Sequence, residues 1–160
     1  MHRVWRLGAD IDTDLLAPGS YMKLSIEGIA AHCLEAVRPE FAAAVRAGDV
    51  IAAGRNFGIG SSREQAAAAL VHLGVRAVIA PSFSGLFFRN AFNLGLLLLT
   101  TPDADKLQEA ERVELDLPSL TLTSAAGQRL LCEPIPLFLL KMVADGGLMN
   151  QLRKKSGPMP

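Results

Sequence analysis

The sequence predicts an α/β fold with a short parallel sheet, and three observations carry that expectation. Between residues 49 and 100, short β-rich runs alternate with alanine- and leucine-rich stretches that close on glycine. The runs are apolar throughout, as strands buried on both faces are. Beyond Glu111 the pattern changes to alternation of apolar and polar residues, the mark of hairpin strands with one wet face.

Taken in order, Val4 to Leu7 reads as a strand. Gly8 to Lys23, dense in Asp, Thr, Pro, Gly and Ser, reads as a loop, and a polar loop of this length more often serves function than idles. Ser25 to Val37 and Pro39 to Ala47 read as helices. Val50–Ala53 is a strand, followed by a glycine loop and a helix from Arg63 to Leu73. Ser61 and Glu64 stand at the spacing of a capping box, and Gly74 supplies a left-handed terminator. Next come a strand at Ala77–Ala80, a helix from about Ser84 to Leu94 closed by Gly95, and a strand at Leu96–Leu99. Thr101-Pro102 opens another helix with Pro in its first turn. Val113 to Leu117, Leu120 to Thr123 and Arg129 to Cys132 are hairpin strands, separated by Pro118-Ser119 and by Ser124 to Gln128. Pro136 starts a last helix reaching about Asp145, and Arg153-Lys154-Lys155 is a solvated basic end.

Residues 1–160 are expected to form one domain with a core large enough to need no disulfide staples. Sixteen basic residues balance sixteen acidic ones, which removes any global pull toward nucleic acid or an anionic membrane, so an anion must be bound locally. The first twelve residues lack the apolar run of a signal peptide, and no apolar stretch approaches the ~20 residues of a spanning helix. A cytoplasmic protein is expected. Cys33 and Cys132 lie far apart without CxxC spacing and read as small buried hydrophobes. His2, His32 and His72 are isolated and read as packed or surface residues; no metal site is expected.

Chemistry concentrates in Gly54-Arg-Asn-Phe-Gly-Ile-Gly-Ser-Ser-Arg-Glu64, between a strand and a helix start. Glycines let the backbone approach a ligand, and the unpaired amides and dipole of a first helical turn favour a carboxylate or phosphate. Arg63 stands where a dinucleotide fingerprint needs its third glycine, and the Walker ending is absent, which disfavours both nucleotide readings. The Arg63 guanidinium offers a planar fork suited to a carboxylate. On spacing alone, Ser61 as a cap and Arg63 as a first-turn surface residue stand beside these functional roles.

Gly-x-Gly-Ser-Ser-Arg-Glu after Asn-Phe, then Ala77-Val-Ile-Ala-Pro-Ser-Phe83 and Phe88-Arg-Asn-Ala91, closely resembles the small subunits of 3-isopropylmalate dehydratase, the swivel domain of the aconitase superfamily. Asp10-Ile-Asp-Thr-Asp14 with Pro18 and Tyr21 resembles that family's amino-terminal signature. The resemblance implies a swivelling β/β/α domain, a parallel sheet layered with a smaller second sheet and helices. It implies dehydration and rehydration of isopropylmalate, as in leucine biosynthesis, by a lyase active only with a large subunit. In that chemistry a 4Fe-4S cluster holds a hydroxyl and a carboxylate of a small hydroxy diacid, while a serine alkoxide, here Ser61, takes the carbon-bound proton. The cluster needs three cysteines, so the resemblance assigns it to the partner subunit and no cofactor to this chain.

By the same resemblance Asp14 is a catalytic residue that faces the active site beside Ser61; Ser62, Arg63 and Lys23 contact substrate, and Asn56, Gly58 and Gly60 shape the loop. Asp12 is a candidate for the same face, with a helix cap or Asx-turn as its alternative. Asn56, Arg89 and Asn90 belong to matched motifs, where fixing the loop or a neighbouring chain stands beside contacting substrate. Three positions depart from the family's usual residues. Lys23 replaces an arginine in a loop that senses the substrate's side group, Ile59 a frequent cysteine and Gln65 a usual histidine; Lys23 keeps the charge and loses the bidentate fork. These departures leave open a related dehydratase acting on another small hydroxy diacid. A non-catalytic anion-binding module without a productive partner is the alternative of a different class.

Overall fold

The structure is a computed structural model that describes residues 1–156. The described residues form seven strands: β1 (His2–Arg6), β2 (Val50–Ala52), β3 (Ala77–Ala80), β4 (Leu97–Thr100), β5 (Arg112–Asp116), β6 (Thr121–Ser124) and β7 (Arg129–Leu131). They lie in the order β4-β3-β2-β1-β5-β6-β7. Val4, Trp5 and Arg6 pair in parallel with Val50, Ile51 and Ala52, whereas His2 and Arg3 pair antiparallel with Val113 and Arg112. The parallel sheet and the smaller antiparallel sheet therefore share β1, which is how the chain moves from crossovers to hairpins.

Helices are α1 (Thr13–Leu16), α2 (Ile26–Ala30), α3 (Phe41–Ala44), α4 (Glu64–His72), α5 (Gly85–Asn93), α6 (Leu137–Ala144) and α7 (Leu148–Ser156). α4 packs on α1, α2 and α5, and α6 and α7 pack on α5. Every residue of β2 and β3 is buried, as expected of central parallel strands, and Phe41, Phe57, Leu70, Phe87 and Phe92 fill the core beside them. Gly74 and Gly95, both at positive φ, end α4 and α5.

Several expected elements change. The Gly8–Lys23 loop holds α1, capped where Asp12 Oδ1 accepts the Leu15 amide at 2.8 Å, and a single 3₁₀ turn at Gly19–Tyr21. Asp12 is thus a cap. The helix expected from Ser25 to Val37 stops at Ala30, because Leu34 turns left-handed (φ 61°) and sends its amide to the Leu15 carbonyl. The helix expected over Pro39–Ala47 shrinks to Phe41–Ala44, since Val45 is extended and leads into β2. After Thr101 the chain forms only a 3₁₀ turn at Ala104–Lys106, with Thr101 Oγ1 accepting the Asp103 amide. The basic end is helical, and Lys154 pairs with Asp145 at 3.1 Å.

Candidate active site

At the carboxyl end of the parallel strands, the chain segments leaving β1, β2 and β3 run side by side. Gly54 donates its amide to Gly8, Asp10 to Arg55, Gly58 to Ile11 and Thr13 to Ile59, all within 3.0 Å. On the other side Phe57 donates to Ser82 at 3.1 Å and Ser84 donates to Phe57 at 3.0 Å. The glycine loop is therefore the middle rail of three, held by backbone bonds that continue the sheet's pairing beyond its strands. Asn56, at φ 60°, adds two links, its amide to Ser82 Oγ and its Nδ2 to Asp10 Oδ1, both at 2.9 Å. Asp10 was not singled out from sequence as the Asn56 partner; its place in the Asp10-Ile-Asp-Thr-Asp14 run was the available signal.

Two glycines of the loop stand at positive φ. Gly58 sits at φ 84°, and a Cβ there would lie 2.2 Å from Cγ of Phe87, the buried ring through which α5 supports the loop. Gly60, at φ 103°, brings the chain against the buried Thr13 hydroxyl, 3.2 Å from where a Cβ would stand.

The head of α4 differs from the expected capping box. Arg63 occupies the cap position in extended conformation (φ −95°, ψ 110°), and no side chain caps the helix. Ser61 lies outside the first turn, with its carbonyl accepting the Arg63 amide at 2.8 Å. Its side chain is exposed, and among the described residues its hydroxyl has no hydrogen-bond partner. The amides of Ser61, Ser62, Glu64 and Gln65 likewise meet no protein acceptor among the described residues. A free hydroxyl thus stands beside unpaired amides at the positive end of a helix, a setting that stabilises an oxyanion or a bound carboxylate.

Asp14 and Arg63 come together. Arg63 Nη1 donates to Asp14 Oδ1 at 2.8 Å and to the Ala17 carbonyl at 3.0 Å, and the Gly19 amide donates to the same carboxylate oxygen at 2.9 Å. Chiefly through the Arg63 hydrogen bond, then through the Gly19 amide, the Asp14 carboxyl is held below its ordinary range against a small opposing cost of burial. With Nη1 engaged, the Nε/Nη2 edge of Arg63 is the fork that remains, and no protein group among the described residues takes it. Ser62 is exposed beside Ser61. Lys23 is exposed after the 3₁₀ turn and pairs with none of the other candidates. His32, expected to be isolated, lies 2.7 Å from Glu35. Arg89 is exposed on α5 and Asn90 is half-buried there.

A metal cluster does not fit this chain. Cys33 and Cys132 are both buried, and burial pushes their thiols up to about 12 and about 11, far from the thiolate form a ligand needs. Two such thiols cannot provide three ligands. The described residues contain no cluster of three or more metal-binding side chains and no helix long and apolar enough to cross a membrane. Exposed Asp14, Ser61 and Ser62 leave an open surface at the head of α4, while cavities of about 320 and 170 Å³ lie at the other end of β1, around Met1, His2, Arg3 and Glu114.

Comparison with known proteins bears on what covers that surface. Residues 41–104 match the Aconitase C-terminal domain family. The chain is 46% identical over 155 residues to the methanogen homoaconitase small subunit of Methanothermobacter thermautotrophicus, covering 95% of this chain and 89% of that protein. It is 43% identical over 157 residues to the 3-isopropylmalate dehydratase small subunit of Syntrophus aciditrophicus, with 96% of each covered. The crystal structure of 3-isopropylmalate dehydratase from Methanocaldococcus jannaschii superimposes with a TM-score of 0.90 at 39% identity, covering 97% of this chain and 93% of that one.

Proposed function

We propose that this chain, which belongs to the family of 3-isopropylmalate dehydratase small subunits, is the small subunit of a hydro-lyase that interconverts 2- and 3-isopropylmalate, as in leucine biosynthesis. The observation that carries the reading is the uncapped, exposed Ser61 hydroxyl beside unpaired amides at the head of α4. A serine that did not cap its helix and had no chemical role would have little reason to sit in so tightly braced a loop.

In this reading Ser61 Oγ, as the alkoxide, takes the carbon-bound proton of the diacid, and the surrounding amides and the α4 dipole lower the cost of its charge. The free Nε/Nη2 edge of Arg63 holds a substrate carboxylate through two parallel hydrogen bonds. Asp14 keeps that edge aimed by holding Nη1, and Ser62 adds a donor at the same anion. Lys23 contributes a second positive charge toward the far end of the substrate. Asn56, Gly58 and Gly60 fix the loop.

The open surface and the small-subunit names of the relatives support a site completed by a large subunit. That partner, not this chain, carries the 4Fe-4S cluster, which supplies Lewis acidity toward the substrate's hydroxyl and carboxylate. The whole chain acts as one domain, recognises neither nucleic acid nor membrane, and suits the reducing cytoplasm in which the thiols of Cys33 and Cys132 stay free.

A homoaconitase-type substrate is the second reading, favoured by the 46% identical methanogen relative. The test is anaerobic co-purification with the large subunit, followed by turnover of isopropylmalate beside other 2-hydroxy diacids and longer hydroxy tricarboxylic acids. Isopropylmalate as the best substrate is expected. Preference for a longer tricarboxylic acid would favour the second reading, and a complex inactive on every diacid would leave a binding module.

A further inference from the structure

Between the Asp14–Arg63 pair and Lys23 the chain makes the short turn Gly19–Leu24, whose own backbone bonds are few. Tyr21 donates to Pro18 at 3.0 Å and Leu24 to Tyr21 at 2.9 Å, and Gly19 donates to Asp14. The turn is gripped from outside. The Tyr21 ring stacks on the His32 imidazole, with centroids 3.6 Å apart and planes within 8°. His32 Nδ1 lies 2.7 Å from Glu35 Oε2. The Glu35 carboxylate raises the Tyr21 phenol above its ordinary range, while the His32 hydrogen bond, opposed by burial and aided by Tyr21, holds the Glu35 carboxyl below its own.

Between these two residues lies Leu34, fully buried and left-handed at φ 61°, a conformation that is costly for a bulky side chain and persists where surrounding contacts demand it. What it achieves is a bond from the Leu34 amide to the Leu15 carbonyl at 2.9 Å, next to Asp14 in α1. One four-residue segment therefore touches the site's amino-terminal loop twice, at α1 through Leu34 and at the 3₁₀ turn through His32. His32 and Glu35 remain a third or more exposed, too open for their contact to add much to global stability.

We infer that His32 and Glu35 are positioning residues, which clamp Tyr21 and so fix the distance between the Asp14–Arg63 pair and Lys23 that a two-ended anionic substrate must span. The inference rests on the functional reading above for its kinetic consequence, and on geometry alone for the clamp.

Two measurements test it. In the active two-subunit complex, His32→Ala should raise KM for isopropylmalate about tenfold with kcat changed less than about twofold, and His32→Phe, which restores the stacked ring, should recover most of the loss. In the isolated full chain, His32→Ala should speed amide exchange at Tyr21 and Leu24 about tenfold while β3 amides are unmoved. An active complex with unchanged KM, or unchanged exchange in the turn, overturns the clamp. So does faster exchange spread across β3, which would make His32 a residue of global stability. If the wild-type complex turns over no diacid, the functional reading falls while the exchange comparison still decides the clamp.

Discussion

Among the described residues, two arginine–aspartate pairs stand at opposite ends of the parallel strands, and they are built for different ends. At the amino end, Asp49 is buried, and its Oδ2 accepts from Arg3 Nη2, Trp5 Nε1 and the Arg46 amide, each at 2.9 Å. Arg3 and Arg38 flank the Trp5 ring at 4.7 and 4.9 Å, so the charges are covered as well as paired. At the carboxyl end, the Asp14–Arg63 pair is equally short at 2.8 Å, yet the Asp14 side chain is 65% exposed against 8% for Asp49. A buried carboxylate that gathers donors from three residues serves the fold, whereas an exposed carboxylate paired with a half-open guanidinium leaves a donor edge free.

The comparison breaks first at Asp49. Asp49→Ala takes the acceptor from the buried Trp5 indole and the Arg46 amide and leaves Arg3 only the Ala44 carbonyl, and should cost about 3 kcal/mol in denaturant unfolding. Burial raises the Asp49 carboxyl, but the hydrogen bonds from Trp5, the Arg46 amide and Arg3 outweigh it and leave the group below its ordinary value. A carboxylate depressed in the folded state stabilises fully above its unfolded value and loses that contribution as pH falls through the folded one. Wild type should therefore lose stability below about pH 4 more steeply than Asp49→Asn, a difference that unfolding curves at pH 3 and pH 7 would read.

Gly58→Ala comes next. Overpacking against Phe87 alone costs about 1–3 kcal/mol, and the positive φ adds strain, so the variant should unfold earlier and lose turnover together. Unfolding and turnover that moved separately would show that the loop does not depend on α5 for its shape.

Smallest in stability is the open pair. Asp14→Asn should cost about 0–1 kcal/mol, since the pair is exposed, while kcat/KM of the complex falls about tenfold or more as Arg63 loses its anchor. A stability loss rivalling that of Asp49→Ala would erase the distinction between the two ends.

Much of the fold was legible because hydrophobic pattern and glycine placement agree. β3 appears with the expected bounds, α4 and α5 end at Gly74 and Gly95, and the change from apolar runs to alternation marks the change from parallel to antiparallel pairing at β1. The first fifty residues were less legible because tertiary bonds override local preference there. Leu34 leaves a helical course to reach Leu15, and Asp12 caps a one-turn helix inside what reads as loop.

In the site, the glycine loop and its position on α4 could be read from spacing, but the absence of a cap could not. Ser61 and Glu64 satisfy the capping-box pattern, yet the helix begins at Glu64 with Arg63 as its cap residue. The Asp14–Arg63 pair spans forty-nine positions and the Tyr21–His32 stack joins two segments of ordinary composition, so no local signal announces either.

The most direct measurement is turnover and thermal unfolding of Ser61→Ala and Ser61→Asn in the anaerobic two-subunit complex. Because Ser61 caps nothing, both variants should unfold within about 0.5 kcal/mol of wild type and bind the large subunit normally. With Ser61 as the proposed base, both should lose about 10²–10⁴-fold in turnover. Near-normal turnover by either folded variant, or a loss of turnover matched by a loss of stability or of subunit binding, would contradict Ser61 as the base.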